Sequence, residues 1–96
     1  MTVLIDATAR TDVLNRLRRA ERQTRGVQRM IEEGESCLKI GQQFSAVRKA
    51  LDSTYLRMTL CFMEQELEAQ MHPDAEQKAG LDQMMKDMET LLARMG

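Results

Sequence analysis

The chain has no Trp, one Pro, one His, two Cys and three aromatic residues, Phe44, Tyr55 and Phe62. Three aromatics in a chain rich in Ala, Leu, Met, Glu, Gln and Arg exclude an all-β sandwich, and two thiols are too few for a disulfide scaffold. The thiols are expected to be reduced in a cytoplasmic protein. No run approaches the 18 apolar residues of a membrane helix, so no membrane partner is expected. The opening MTVLIDATAR has no basic segment and few adjacent apolar residues, so it does not read as a secretory signal. Glycine-rich phosphate loops, a Ser-His-Asp arrangement and paired carboxylates in a cleft are also missing, and an enzyme is not expected.

What is present suits helices. Hydrophobic residues make up 43% of 96 residues and the net charge is −1, which excludes a disordered tail. The near-neutral total hides an asymmetry: residues 1–30 carry seven Arg against Asp6, Asp12 and Glu21, whereas the remainder carries seven Lys or Arg against twelve Asp or Glu. A basic front and an acidic back permit a local polyanion-binding surface.

The pattern predicts an all-α, three-helix protomer. Residues 1–10 read as a loose arm, followed by one helical domain over 11–96 with helices near 11–33, 36–70 and 74–94. Helix 1 would be capped by Thr11 or Asp12 and stopped by Gly34, with Val13, Leu17, Ala20, Thr24, Val27 and Ile31 on one face. Helix 2 carries a long seam in alternating steps of three and four: Cys37, Ile40, Phe44, Val47, Leu51, Thr54, Met58 and Cys61. A rod of roughly 50 Å needs another long helix to bury such a seam. His72-Pro73-Asp74 breaks the chain, and Leu81, Met84, Met85, Met88, Leu91, Leu92 and Met95 form the core stripe of helix 3.

Two features carry chemistry. Arg18, Arg22, Arg25 and Arg29 form a stripe on helix 1 with Arg16 and Arg19 beside it, either a phosphate-tracking surface or a solvated face. Cys37 and Cys61 lie about 36 Å apart on one helix and cannot meet within a chain. If two copies of helix 2 cross antiparallel near Lys49, each Cys37 faces Cys61 of the other copy. Glu64, Glu66 and Glu68 are an acidic run near the end of helix 2. His72, with Glu68 four residues earlier, reads as a solvated pair.

The stretches LNRLRRAERQTRG (14–26), MIEEGESC (30–37) and QQFSAVRKAL (42–51) resemble the CsoR/RcnR/FrmR/CstR family, small bacterial repressors that sense copper, nickel or cobalt, formaldehyde or reactive sulfur. The resemblance implies an antiparallel dimer of long second helices, a disc-like dimer-of-dimers tetramer, and binding to double-stranded operator DNA through a basic face. By position it places Arg16, Arg19, Gln23 and Arg48 around DNA, with Arg18 and Arg22 adding charge; Arg22 stands where the family has Gly. The family's metal positions fall at Cys37, Phe62 and Glu66, where Phe62 replaces a histidine and Glu66 a softer ligand. Formaldehyde members also use an N-terminal amine, and here Met1-Thr2 replaces their Met-Pro start.

The expectation is therefore a repressor needing no cofactor, whose operator affinity falls when Cys37, with Cys61 of the partner chain, is modified by reactive sulfur, oxidant or electrophile. The alternatives are a metal-responsive repressor holding Cu(I) or another transition metal through Cys37 and Cys61, and a helical adaptor that does not bind DNA.

Overall fold

The computed structural model describes residues 3, 4 and 6–94. Three helices follow one another: α1 (Ala7–Glu32), α2 (Cys37–Met71) and α3 (Ala75–Ala93).

Helix α1 begins before the expected Thr11 or Asp12. The Asp6 carboxylate accepts from the backbone N–H of Thr8 at 2.9 Å and of Ala9 at 3.4 Å, so Asp6 is the N-cap. Residues 7–10 are thus helix rather than arm, and Ala9 is buried. Asp12, freed from capping, makes ion pairs described below. At the other end Gly34 takes φ +76°, a conformation costly for any residue with a Cβ. Gly34 N–H donates to the Ile31 carbonyl and Glu35 N–H to that of Met30, which closes the helix in a Schellman turn. Ser36 then caps α2 through the Lys39 N–H. Asp74 and Gln77 cap α3 reciprocally.

Helix α2 is the spine. Contacts of Arg16 with Ser53, Asp12 with Arg57 and Val3 with Gln65 show α1 running antiparallel along it. Helix α3 folds back on the distal half of α2. No Cα atoms of α1 and α3 come within 8 Å among the described residues.

Each apolar seam expected from the sequence divides in two. On α1, Ala9, Val13, Ala20 and Val27 are buried, while Leu17 and Ile31 are exposed. On α2, Val47, Thr54 and Cys61 are buried with Leu60, whereas Cys37, Phe44, Leu51 and Met58 are exposed. The buried residues recur at sevens because only that row faces the neighbouring helix. Phe44 and Tyr55 stand 61% and 69% exposed. The stripe of α3 is likewise open: only Met85 is buried, Met84, Leu91 and Leu92 are exposed, and Met95 lies outside the described residues.

The resulting protomer measures 56 × 26 × 20 Å and exposes 7517 Å². A compact 11.0 kDa monomer would expose about 5,600 Å². The difference, about 1,900 Å² per protomer, would amount to about 3,800 Å² over a symmetric pair, the size of an obligate homodimer interface.

Two substitutions check this account of the core and the cap. Leu60→Ala is expected to remove about 2–4 kcal/mol in urea unfolding, since Leu60 is 2% exposed. Asp6→Ala is expected to cost about 1 kcal/mol and to speed amide exchange at Thr8 and Ala9 selectively.

Candidate DNA-binding face and sensing residues

The basic residues of α1 fall on two faces. Arg18, Arg22, Arg25 and Arg29 lie opposite the buried row and are exposed. Arg25 pairs with Glu21 at 2.8 Å, and Arg18 donates to Asn15. On the flank, Arg16, Arg19, Asp12 and Asn15 of α1 meet Ala50, Ser53 and Thr54 of α2 around an open groove of about 370 Å³. Gln23 is exposed on the same flank of α1, and Arg48 is exposed on α2. Arg19, Arg22 and Arg48 pair with no carboxylate among the described residues.

Arg16 differs from the other expected DNA contacts. Its Nε lies 3.3 Å from Asp12 Oδ2, and its Nη1 lies 3.6 Å from Glu89 Oε1 and donates to Ser53 Oγ at 3.4 Å. Arg57 of α2 engages the same carboxylates: its Nε donates to Asp12 Oδ2 at 3.0 Å, and its Nη1 lies 3.8 Å from Glu89 Oε2. Two guanidiniums and two carboxylates thus join all three helices in a neutral cluster. Partial burial pushes the Asp12 carboxyl up, but the hydrogen bond from Arg57 and the charge of Arg16 together outweigh it and hold Asp12 below its ordinary 3.8. Nothing local in the sequence marks Arg57 and Glu89, whose partners Asp12 and Arg16 lie 45 and 73 positions away.

The two cysteines occupy different environments. Cys37 is the first residue of α2 and exposed. At about 100° per residue, Phe62 and Glu66 stand within about 20° of its row, whereas Cys61 is turned about 120° away. Phe62 is exposed and Glu66 half-buried. Cys61 is 8% exposed and faces a cleft of about 610 Å³ with Asp6, Arg57, Glu64 and Lys86. Burial pushes its thiol up; the Arg57 charge opposes this, while Asp6, Glu89 and Asp12 add to it. A raised thiol is a poor source of thiolate at neutral pH. The protomer does not bring Cys37 and Cys61 together, and Met1-Thr2 lie outside the described residues.

The glutamate run also divides. Glu64 and Glu68 point with Asp82 of α3 into that cleft, with oxygens within 4.8 Å of one another. Glu66 sits on the open row instead. His72 is exposed and ends α2 in the left-handed conformation, φ 48°.

The protomer thus combines an Arg-rich α1, a cysteine at the start of a long α2, and a shorter α3 folded back. A model of the metal-sensitive transcriptional repressor family matches residues 9–94. The chain belongs to that family. The copper-sensing transcriptional repressor RicR of Mycobacterium tuberculosis (strain ATCC 25618 / H37Rv) is 51% identical to it over 43 residues. That stretch is 45% of this chain and 45% of RicR, so the match spans less than half of the curated relative. No solved structure matches significantly. The family is one of transcriptional repressors, not of enzymes, and no helix is long and apolar enough to cross a membrane among the described residues.

The donors of this chain do not reproduce a three-ligand soft-metal site at positions 37, 62 and 66. Phe62 has no donor atom and the Glu66 carboxylate is hard, so thiolate is the soft donor that suits Cu(I).

Asp12→Asn tests the ion cluster. Because the folded-state value lies below 3.8, the Asp12 contribution is complete above the unfolded value and fades as pH falls through the folded one. The variant is expected to lose no more than about 1 kcal/mol at pH 7, since water screens a partly exposed pair. Its stability gap to wild type, read by urea unfolding, should close below pH 3.8; a gap that widens on acidification contradicts the pairing.

Proposed function

We propose that this protein is an oligomeric, metal-responsive repressor that binds operator DNA through the basic flank and outer face of α1. DNA is released when a transition metal, Cu(I) first, binds a site centred on Cys37. The observation that carries this reading is the placement of Cys37: an exposed soft donor on the uncovered row of α2, in line with Phe62 and Glu66. The copper-sensing function named for RicR supports a metal over reactive sulfur as the first inducer to test.

The same row supports pairing of α2 with α2 of a second copy. Phe44, Leu51, Tyr55, Met58 and Phe62 are exposed there, and the surplus surface is of interface size. An antiparallel pair would place Cys37 near the distal end of the partner's α2, and two pairs would form the tetramer. On this reading Arg19, Arg22, Gln23, Arg48 and Arg18 meet phosphates, each neutralised phosphate releasing condensed counterions. Cys61 is the second soft donor, and it joins a two-thiolate site only if the α1 contact above it opens.

The thiol-chemistry reading keeps one observation in its favour: Phe62 and Glu66 supply no soft donor beside Cys37. One titration separates the two. Fluorescence anisotropy on duplex DNA from upstream of the protein's own coding sequence should show Cu(I) weakening binding by about 5–150-fold, the usual range of coupling. Cys37→Ser should bind DNA normally and lose that response. Cys61→Ser should retain it for a one-thiol site and lose it for a thiolate pair. Release by polysulfide, reversed by reductant, with no response to Cu(I) would replace the metal by sulfur chemistry.

A further inference from the structure

The groove between α1 and α2 holds two arginines in contrasting states. Arg19 pairs with no carboxylate among the described residues, whereas Arg16 lies between Asp12 on its own helix and Glu89 on α3. We propose that Glu89 is a positioning residue that withholds Arg16 from the DNA phosphate bound in this groove. The docking of α3 then sets how much positive charge the groove presents. This deepens the DNA-binding reading above and rests on it.

Three observations support the assignment. First, the cluster of Arg16, Arg57, Asp12 and Glu89 is neutral, so a phosphate approaching Arg16 meets Asp12 and Glu89 as competitors. Second, the partners are not held equally. Asp12 lies 3.0 Å from Arg57 and 3.3 Å from Arg16, while Glu89 lies 3.8 Å and 3.6 Å from the same two groups. Glu89 is therefore the exchangeable member, since charge-assisted hydrogen bonds are strongest near 2.7–2.9 Å. Third, α1 and α3 make no backbone approach, so this side-chain bridge is free to open without repacking a helix interface between them.

The chemistry is a swap of oxyanions. Arg16 Nη1 leaves the Glu89 carboxylate for a phosphate oxygen, Arg57 keeps Asp12, and Glu89 retains Arg57. By linkage the effect runs both ways: whatever moves α3 off the groove strengthens phosphate binding, and DNA in the groove loosens α3.

The test measures DNA affinity of the full chain against NaCl concentration, with the same upstream duplex as probe and reduced, metal-free protein. Glu89→Gln is expected to bind severalfold more tightly at low salt, with a log–log salt slope steeper by about one for each Arg16 freed at the DNA. Arg16→Ala added to Glu89→Gln should erase that gain, while Arg16→Ala alone should weaken binding less than Arg19→Ala does. Asp87→Asn makes the same charge change on α3 beside Gln83 and should leave the slope unaltered. If Glu89→Gln lowers the melting temperature, Glu89→Asp, which keeps the charge but shortens the arm, should give an intermediate slope.

The proposal is overturned if Arg16→Ala alone weakens binding as much as Arg19→Ala and Glu89→Gln is no tighter, because Arg16 would then already be on DNA. It is overturned equally if Asp87→Asn matches Glu89→Gln, which would make the gain a bulk charge effect. Loss of binding in Arg19→Ala upholds the DNA-binding reading under either result. Absence of salt-dependent DNA binding in every form removes that reading and this proposal together.

Discussion

A helix of 35 residues with two apolar rows has more surface to cover than one shorter neighbour can reach. Helix α1 closes over Val47, Thr54 and Cys61, and the geometry of two straight rods leaves the other row facing outward. The rest follows from that shortfall. The core of the single chain is a thin line of residues, and the elongated protomer exposes about a third more surface than a compact one of its mass. The cysteine at the head of α2 belongs to the uncovered row. Sensing, on this account, is built where copies of the chain meet rather than inside one of them.

Against so thin a core, the ion cluster fixes the third helix. Asp12 receives both Arg16 and Arg57, and Glu89 brings α3 to the same pair. Buried apolar contact holds α3 to α2 through Met85, but its link to α1 is electrostatic. Such links reorganise with modest changes in free energy, which suits a protein that must exchange DNA-bound and released states. Arg16 thereby ties the groove between α1 and α2 to the third helix instead of acting as one more surface cation.

Much of this was legible in the sequence. The stop at Gly34 and the break at His72-Pro73-Asp74 rest on local chemistry, and the chain turns there through a Schellman turn and the Asp74–Gln77 capping box. The start of α1 was misplaced because Thr11 and Asp12 are good caps by type, and only the structure shows that Asp6 does the capping. The seams were recognised as apolar, but periodicity alone does not say which of two interleaved rows a single neighbour covers. Cys37 and Cys61 looked equivalent on a seam written in threes and fours, although the helix turns them about 120° apart. Arg57 and Glu89 carried no local signal, since pairs 45 and 73 positions apart become visible only once three helices are packed.

If a second copy covers the open row of α2 and function depends on that contact, assembly and DNA binding fail together. Sedimentation equilibrium of the wild type and of Leu51→Glu, run alongside DNA binding, reads both. The wild type is expected to be a dimer or tetramer at micromolar concentration, and Leu51→Glu a folded monomer that neither binds operator DNA nor answers to Cu(I). A wild-type monomer that binds DNA with full affinity, or a Leu51→Glu variant that assembles and responds normally, would contradict it.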